Sequence, residues 1–99
     1  MNAEPTKHDE IVVRHNAAES RFETVVEGFL SLADYELAAG TLVMTHTLVP
    51  PELRGRGLAE KLVRAALDWA AAERLRVVPA CSYVATFIQR HAEYQPLVH

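Results

Sequence analysis

A change of hydrophobic period near the middle of the chain constrains its fold more than any other feature. Residues 41–49 read Thr-Leu-Val-Met-Thr-His-Thr-Leu-Val, rich in β-branched side chains, as a strand requires. Simple alternation puts Leu42, Met44, His46 and Leu48 on one face and Val43, Thr45, Thr47 and Val49 on the other. Pro50-Pro51 then ends the sheet, because proline brings no N–H to the ladder. From residue 58 to about residue 74 the period is helical. Leu58, Leu62, Ala65, Ala66, Trp69 and Ala70 recur at three- and four-residue steps and make an apolar stripe. Glu60, Arg64 and Asp68 lie opposite as two four-apart pairs of unlike charge, each worth a few tenths of a kcal/mol. Strand, loop and helix therefore follow one another within about thirty-five residues.

The flanking segments complete a topology. Residues 75–81 read as a further strand with Pro79 near its end, so 41–81 forms a right-handed strand–helix–strand unit with parallel neighbours. Upstream, 11–15, 21–26 and 29–37 read as strands separated by turns at 16–20, Glu27-Gly28 and 38–40. These strands should pair antiparallel. Downstream, Ser82 is a plausible helix N-cap. Residues 83 to about 91 read as a short helix with Tyr83, Phe87 and either Val84 or Ile88 facing inward. Residues 92–99 read as a tail or a last extended segment. Residues 1–9, polar and without periodicity, read as a loose tail, leaving 10–99 as one domain. The fold class is α/β in the broad sense (α+β): a mixed, mostly antiparallel sheet of about five strands with two helices.

Composition narrows the function classes. A chain of 99 residues holds one domain, and 49% hydrophobic residues exclude a disordered segment. The net charge of −3 argues against a general nucleic-acid binder, which needs a basic face. Arg54, Arg56, Lys61 and Arg64 nonetheless cluster. One cysteine, Cys81, excludes an internal disulfide and a cysteine-rich zinc site. The five histidines show no metal-ligand spacing, so no metal is expected. No run approaches the ~20 apolar residues of a membrane span. The polar N-terminus does not resemble a signal peptide, and the expected location is the cytoplasm.

The turn Arg54-Gly55-Arg56-Gly57-Leu58-Ala59 carries the clearest chemistry. The first N–H groups of a helix have no internal partners and carry partial positive charge. Gly55 and Gly57 let an anion approach them without a Cβ in the way. Arg54 and Arg56 add bidentate donors for phosphate oxygens. A loop that merely starts a helix, with arginines for solubility, is the plainer reading. The Walker spacing G-x-x-x-x-G-K-[ST] is absent, and G-x-G-x-x-G fails because Glu60 stands at its last position.

The pattern that does fit is [Q/R]-x-x-G-x-[G/A]. It resembles the acyl-CoA pyrophosphate loop of the GCN5-related N-acetyltransferase superfamily. The segments His46-Thr47-Leu48-Val49-Pro50, Pro79-Ala80-Cys81-Ser82-Tyr83 and Arg90-His91-Ala92-Glu93-Tyr94 extend the likeness to the minimal branch of that superfamily, of roughly 100 residues. This resemblance covers residues 11–98. It implies acetyl-CoA as cofactor, an amine as acceptor, and an acceptor side open to a protein or other large molecule, since the usual N-terminal helices have no counterpart here. It also implies that Val49, the loop residues 54–59, Ser82, Tyr83, Phe87 and Arg90 flank the cofactor. Phe87 reads as core ahead of ligand. Arg90 reads either as a contact for the 3′-phosphate or as a solvated surface charge.

Two residues are candidates for the chemistry. Cys81, the only strong nucleophile, precedes a predicted helix N-terminus, which favours thiolate; a buried, inert cysteine is the alternative. By resemblance, the cysteine of Pro-x-Cys-Ser-Tyr accepts the acetyl group before the amine does, or only lines the site. His46 is a candidate general base, or a structural histidine. Many relatives carry glutamate where Leu48 stands, and leucine cannot act as a base. An acetyltransferase and a non-catalytic CoA-binding sensor or adaptor are the two leading functions. A pure interaction domain with a vestigial loop is the third.

Overall fold

The structure, a computed structural model, describes residues 11–98. The predicted tail, residues 1–9, lies outside the described residues, as do Glu10 and His99 of the predicted domain. The elements run β1 (Arg14–Asn16), β2 (Arg21–Val26), β3 (Phe29–Ala38), β4 (Thr41–Leu48), α1 (Leu58–Ala72), β5 (Arg76–Pro79) and α2 (Ser82–Arg90). Short 3-10 turns occupy Ala17–Glu19, Pro51–Leu53 and Ala92–Val98. The sheet order is β1-β2-β3-β4-β5. The first four strands are antiparallel and β5 lies parallel to β4. This is the mixed sheet with two helices that the sequence predicts.

Two tight turns set the hairpin registers. Glu27 and Gly28 have φ of 54° and 83°, and Ala39 and Gly40 have 50° and 79°. Paired positive φ values match the right-handed twist of the flanking strands. Between β1 and β2, Asn16 Oδ1 accepts from the Glu19 N–H at 3.2 Å.

One irregularity redirects half of β4. Asp34 pairs with His46, but Tyr35 pairs with Met44, so Thr45 is left over as a β-bulge. A bulge adds one residue to one strand and reverses the facing beyond it. Leu42 and Met44, both fully buried, point toward the helices. Beyond the bulge that side passes to Thr47, opposite buried Ala33, while His46 and Leu48 turn to the other face. The predicted single face of Leu42, Met44, His46 and Leu48 is therefore corrected, because a period of two does not survive an unpaired residue.

Helix α1 covers one face of the sheet, with Leu58, Leu62, Val63, Ala66, Leu67 and Ala70 buried. Val63 and Leu67 replace Ala65 and Trp69 of the predicted stripe. The helix also meets α2 and the C-terminal turn, so its buried arc is wider than a sheet alone would need. Trp69 instead joins a ring cluster with His15, Phe22 and Tyr35. Arg64 pairs with Glu60 at 3.3 Å, but Asp68 accepts from Tyr94 Oη at 2.7 Å. Arg64 lies over the rings of Phe87 and Tyr94. The polar side of α1 thus seats the C-terminal turn, which the sequence suggests as a tail or an extended segment.

Other boundaries move by a few residues. The first strand is Arg14–Asn16 rather than 11–15, and the last is Arg76–Pro79 rather than 75–81. Helix α1 ends at Ala72, where Arg74 at φ 58° lets the Leu75 N–H close onto Ala70 O at 2.8 Å, a left-handed terminal turn. The N-cap of α2 is Cys81, not Ser82. Tyr83 is 39% exposed rather than inward, and Val84, Phe87 and Ile88 fill the buried side.

Candidate cofactor cleft

The loop before α1 is built around backbone conformation. Leu53 is fully buried and anchors its start. Gly55 and Gly57 have φ of 84° and 76°, and a Cβ built on either would meet nothing within 4 Å. Positive φ, rather than crowding, makes these positions glycine. Gly57 is the N-cap of α1 and supplies no side-chain cap. The first helical bond runs from the Lys61 N–H to Gly57 O at 3.2 Å. The N–H groups of Leu58, Ala59 and Glu60 therefore face outward at the positive end of the helix dipole.

The two arginines of the loop part company. Arg54 Nε donates to Val49 O at 3.3 Å and lines a cleft of about 230 Å³ with Thr47, Leu48, Val49, Ala59 and Tyr83. Arg56 is turned to the β2–β3 hairpin, where it pairs with Glu27 at 2.9 and 3.3 Å. The Leu58 side chain is in the core at 2% exposure, so only its N–H is available to a ligand.

The cleft leads to the place where β4 outruns β5. The last pair of the parallel ladder is Met44 with Pro79, although β4 continues to Leu48. The Cys81 N–H still reaches Met44 O at 2.9 Å, and from there the chain turns away into α2. Thr47 Oγ1, on the helix side of the bulged strand, stands 3.6 Å from Cys81 Sγ. Burial pushes the thiol up, but the Val84 N–H, the Thr47 hydroxyl and the N–H groups of Tyr83 and Thr47 outweigh it. Together they hold Cys81 below its ordinary value. No cap hydrogen bond of full geometry forms at Cys81; the first N–H groups of α2 act on the sulfur mainly through their dipoles. Burial, and then the charge of Glu60, push the Tyr83 phenol up, so it stays protonated at neutral pH.

The remaining predicted residues are dispersed. Val49, Arg54, Ala59 and Tyr83 come together at the cleft. Ser82 is exposed in the first turn of α2. Phe87 is 5% exposed and stacks on His91 at 3.9 Å between ring centroids, which makes it core. Arg90 ends α2, about 10 Å along the axis from Tyr83. His46 lies on the face opposite Thr47, so it does not form a pair with Cys81. Thr47 is absent from the predicted site residues; the sequence shows it only within the His46–Pro50 segment of the family resemblance, and the bulge that turns it toward Cys81 shows in the strand pairing. Among the described residues no group of His, Cys, Asp or Glu could hold a metal ion, and no helix is long and apolar enough to cross a membrane.

A strand that parts from its parallel neighbour beside a glycine loop and a helix N-terminus is a specific arrangement. The family model for GCN5-related N-acetyl-transferase matches residues 21–97. The chain belongs to that family. It is 34% identical to Protein NATD1 of Bos taurus over 84 residues, covering 82% of this chain and 74% of the relative. It is 33% identical to the Gallus gallus NATD1 over 92 residues, covering 90% and 84%. A GCN5-like protein from Staphylococcus aureus, solved by NMR, superposes with a TM-score of 0.69 at 22% identity, over 87% of this chain and 85% of that one. That likeness concerns the fold, which this acetyltransferase-family chain shares over 87% of its length.

Proposed function

We propose that the protein binds acetyl-CoA and transfers its acetyl group to an amine, with residues 10–99 acting as a single acyl-CoA-binding domain. One observation carries this reading: a single cleft joins Arg54 and Ala59, at the start of α1, to Thr47 on the parted edge of β4, and Thr47 Oγ1 stands 3.6 Å from Cys81 Sγ. The pyrophosphate would sit on the N–H groups of the loop and α1 with Arg54 beside it. The pantetheine arm would follow Thr47 to Val49 toward the sulfur. Arg56 would act by holding the loop to Glu27, or by turning toward phosphate.

The chemistry follows from position. On the covalent route Cys81 Sγ, as thiolate, forms a bond to the acetyl carbon while the bond to the CoA sulfur breaks, and the amine later takes the acetyl group. On the direct route the amine attacks the thioester itself and Cys81 lines the site. On either route the protonated Tyr83 can donate a hydrogen bond to the leaving thiolate.

Calorimetric titration with acetyl-CoA, CoA and ATP tests the reading. Binding of the CoA species in preference to ATP, lost in Gly57→Glu, supports it; no binding of acetyl-CoA at millimolar concentration ends it. A CoA-binding sensor or adaptor is the second reading. It is favoured by the apolar Leu48 and by the placing of His46 across the sheet from Cys81. It predicts binding without turnover and with indifference to Cys81→Ala.

A further inference from the structure

The tip of the β2–β3 hairpin reaches the loop that precedes α1. Glu27 holds Arg56 with both carboxylate oxygens, Arg56 Nη1 donating to Oε2 at 2.9 Å and Nη2 to Oε1 at 3.3 Å. The two residues are 29 apart in the chain, so no local turn brings them together. Arg56 lies between Gly55 and Gly57, both at positive φ. Its backbone is part of the anion-binding loop, while its charge is committed to the hairpin. Glu27 is itself left-handed at φ 54°, where such turns favour Asn, Asp or Gly. Ala39 holds the matching position of the β3–β4 hairpin at φ 50°. The turn backbone therefore does not call for a carboxylate; the carboxylate of Glu27 serves the contact with Arg56.

Magnitudes show how firm that contact is. The Arg56 and Glu27 side chains are 34% and 61% exposed, and an exposed ion pair is weak. A diphosphate seated on the N–H groups at the start of α1 offers the same guanidinium a stronger, bidentate partner. Carboxylate and phosphate carry the same sign, so they compete for one planar fork of donors.

We propose that Glu27 is a counter-ion that the pyrophosphate of CoA displaces from Arg56, so that filling the loop frees the β2–β3 hairpin. This rests on the acyl-CoA reading above and adds a residue outside the cleft that sets affinity for the cofactor. Arg56 exchanges one anion for another on binding, and the number of ion pairs it makes stays the same. Glu27 acts through Arg56 and is a positioning residue. The coupling is reciprocal: whatever strengthens the Glu27–Arg56 contact weakens CoA binding to the same degree.

Calorimetric titration of the full chain with CoA, at low and at high salt, tests the proposal. Glu27→Gln keeps the length and shape of the side chain. It should bind CoA about two- to fivefold more tightly, the factor for an exposed ion pair that no longer has to break. Its affinity should also fall more steeply with salt, because binding now adds an ion pair instead of exchanging one. A loop merely held in shape by Glu27 predicts the reverse, weaker binding with an unchanged salt slope. In an Arg56→Gln background, Glu27→Gln should change nothing, since the effect runs through the arginine. Dephospho-CoA, which keeps the diphosphate and lacks the 3′-phosphate, should show the same gain. In the isotopically labelled parent, the amide signals of Glu27 and Gly28 should shift with the same midpoint as those of the loop, and Arg56→Gln should abolish the hairpin shifts alone. Weaker or unchanged binding by Glu27→Gln, a gain that survives in Arg56→Gln, a gain with CoA but none with dephospho-CoA, or an unmoved hairpin in the parent would each overturn the proposal with acetyl-CoA binding intact. If the parent binds no CoA species, the acetyltransferase reading falls as well.

Discussion

Thr47 Oγ1 and Cys81 Sγ face each other at 3.6 Å across the gap left where β5 departs from β4. The contact helps to hold the thiol below its ordinary value against the burial that raises it. Thr47→Val should therefore move the pH midpoint of Cys81 alkylation upward and slow alkylation by iodoacetamide at neutral pH. Thr47→Ser should keep the parent behaviour. An unchanged midpoint in Thr47→Val would show that the α2 dipoles alone tune the sulfur.

The loop glycines are required by φ rather than by space. Gly57→Ala should destabilise the protein by about 1–2 kcal/mol in urea unfolding, the cost of a left-handed non-glycine residue. No protein atom crowds the added Cβ, but it enters the space through which a phosphate reaches the N–H groups, so CoA binding should weaken as well. Gly57→Glu should lose it by placing a carboxylate at the anion site.

These two predictions show what the sequence does and does not reveal. The loop, both helices, the hairpins and the parallel crossover follow from periodicity, turn residues and proline, and the GCN5-related family is legible in the motifs. The bulge is not legible. Thr45 is an ordinary strand residue, and only its pairing partners on β3 reveal that it is extra. With the bulge hidden, His46 seems to share the side of Leu42, and Thr47 passes unnoticed. Cys81 rather than Ser82 caps α2 because pairing to β4 ends at Pro79. The C-terminal turn, with Pro96 and no period, owes its shape to Tyr94 on Asp68 and Arg64, a contact between distant parts of the chain.

Tyr94 donates to Asp68 at 2.7 Å and receives a bond from Arg64 at 3.3 Å. Tyr94→Phe should cost about 1 kcal/mol, and amide exchange should speed up chiefly in residues 92–98. Uniform acceleration throughout the chain would contradict a local role.

Glu23 is nearly buried and is held by Arg14, Arg21 and Asn16. The hydrogen bonds from Arg14 and then Arg21 bring its carboxyl down from 4.5 to about 2, against burial, which raises it. A depressed carboxyl stabilises the fold above the unfolded value, and that contribution is lost as pH falls through the folded value. Glu23→Gln should thus be about 1–3 kcal/mol less stable at neutral pH, with the difference closing between pH 4.5 and about 2.

His15 is also held below its ordinary value, but by burial rather than by hydrogen bonds to its charged form. Its ring bonds to Tyr35 Oη at 2.7 Å and stacks on Phe22, and burial lowers its affinity for a proton. The unfolded chain takes up that proton more readily, so this contribution is complete above the ordinary value of 6.5 and declines as pH falls below it. Denaturation between pH 7 and pH 5 should show stability decreasing, with a smaller slope in His15→Gln. An equal slope in both proteins would place the effect elsewhere.

The central claim is that acetyl-CoA lies along the cleft from the start of α1 to the Thr47–Cys81 contact. Mapping backbone amide shifts on adding acetyl-CoA tests it most directly. The account predicts the largest shifts at residues 55–60, 47–49 and 81–83, with residues 14–26 little affected. Saturable shifts confined to other residues, or none at all, would contradict it.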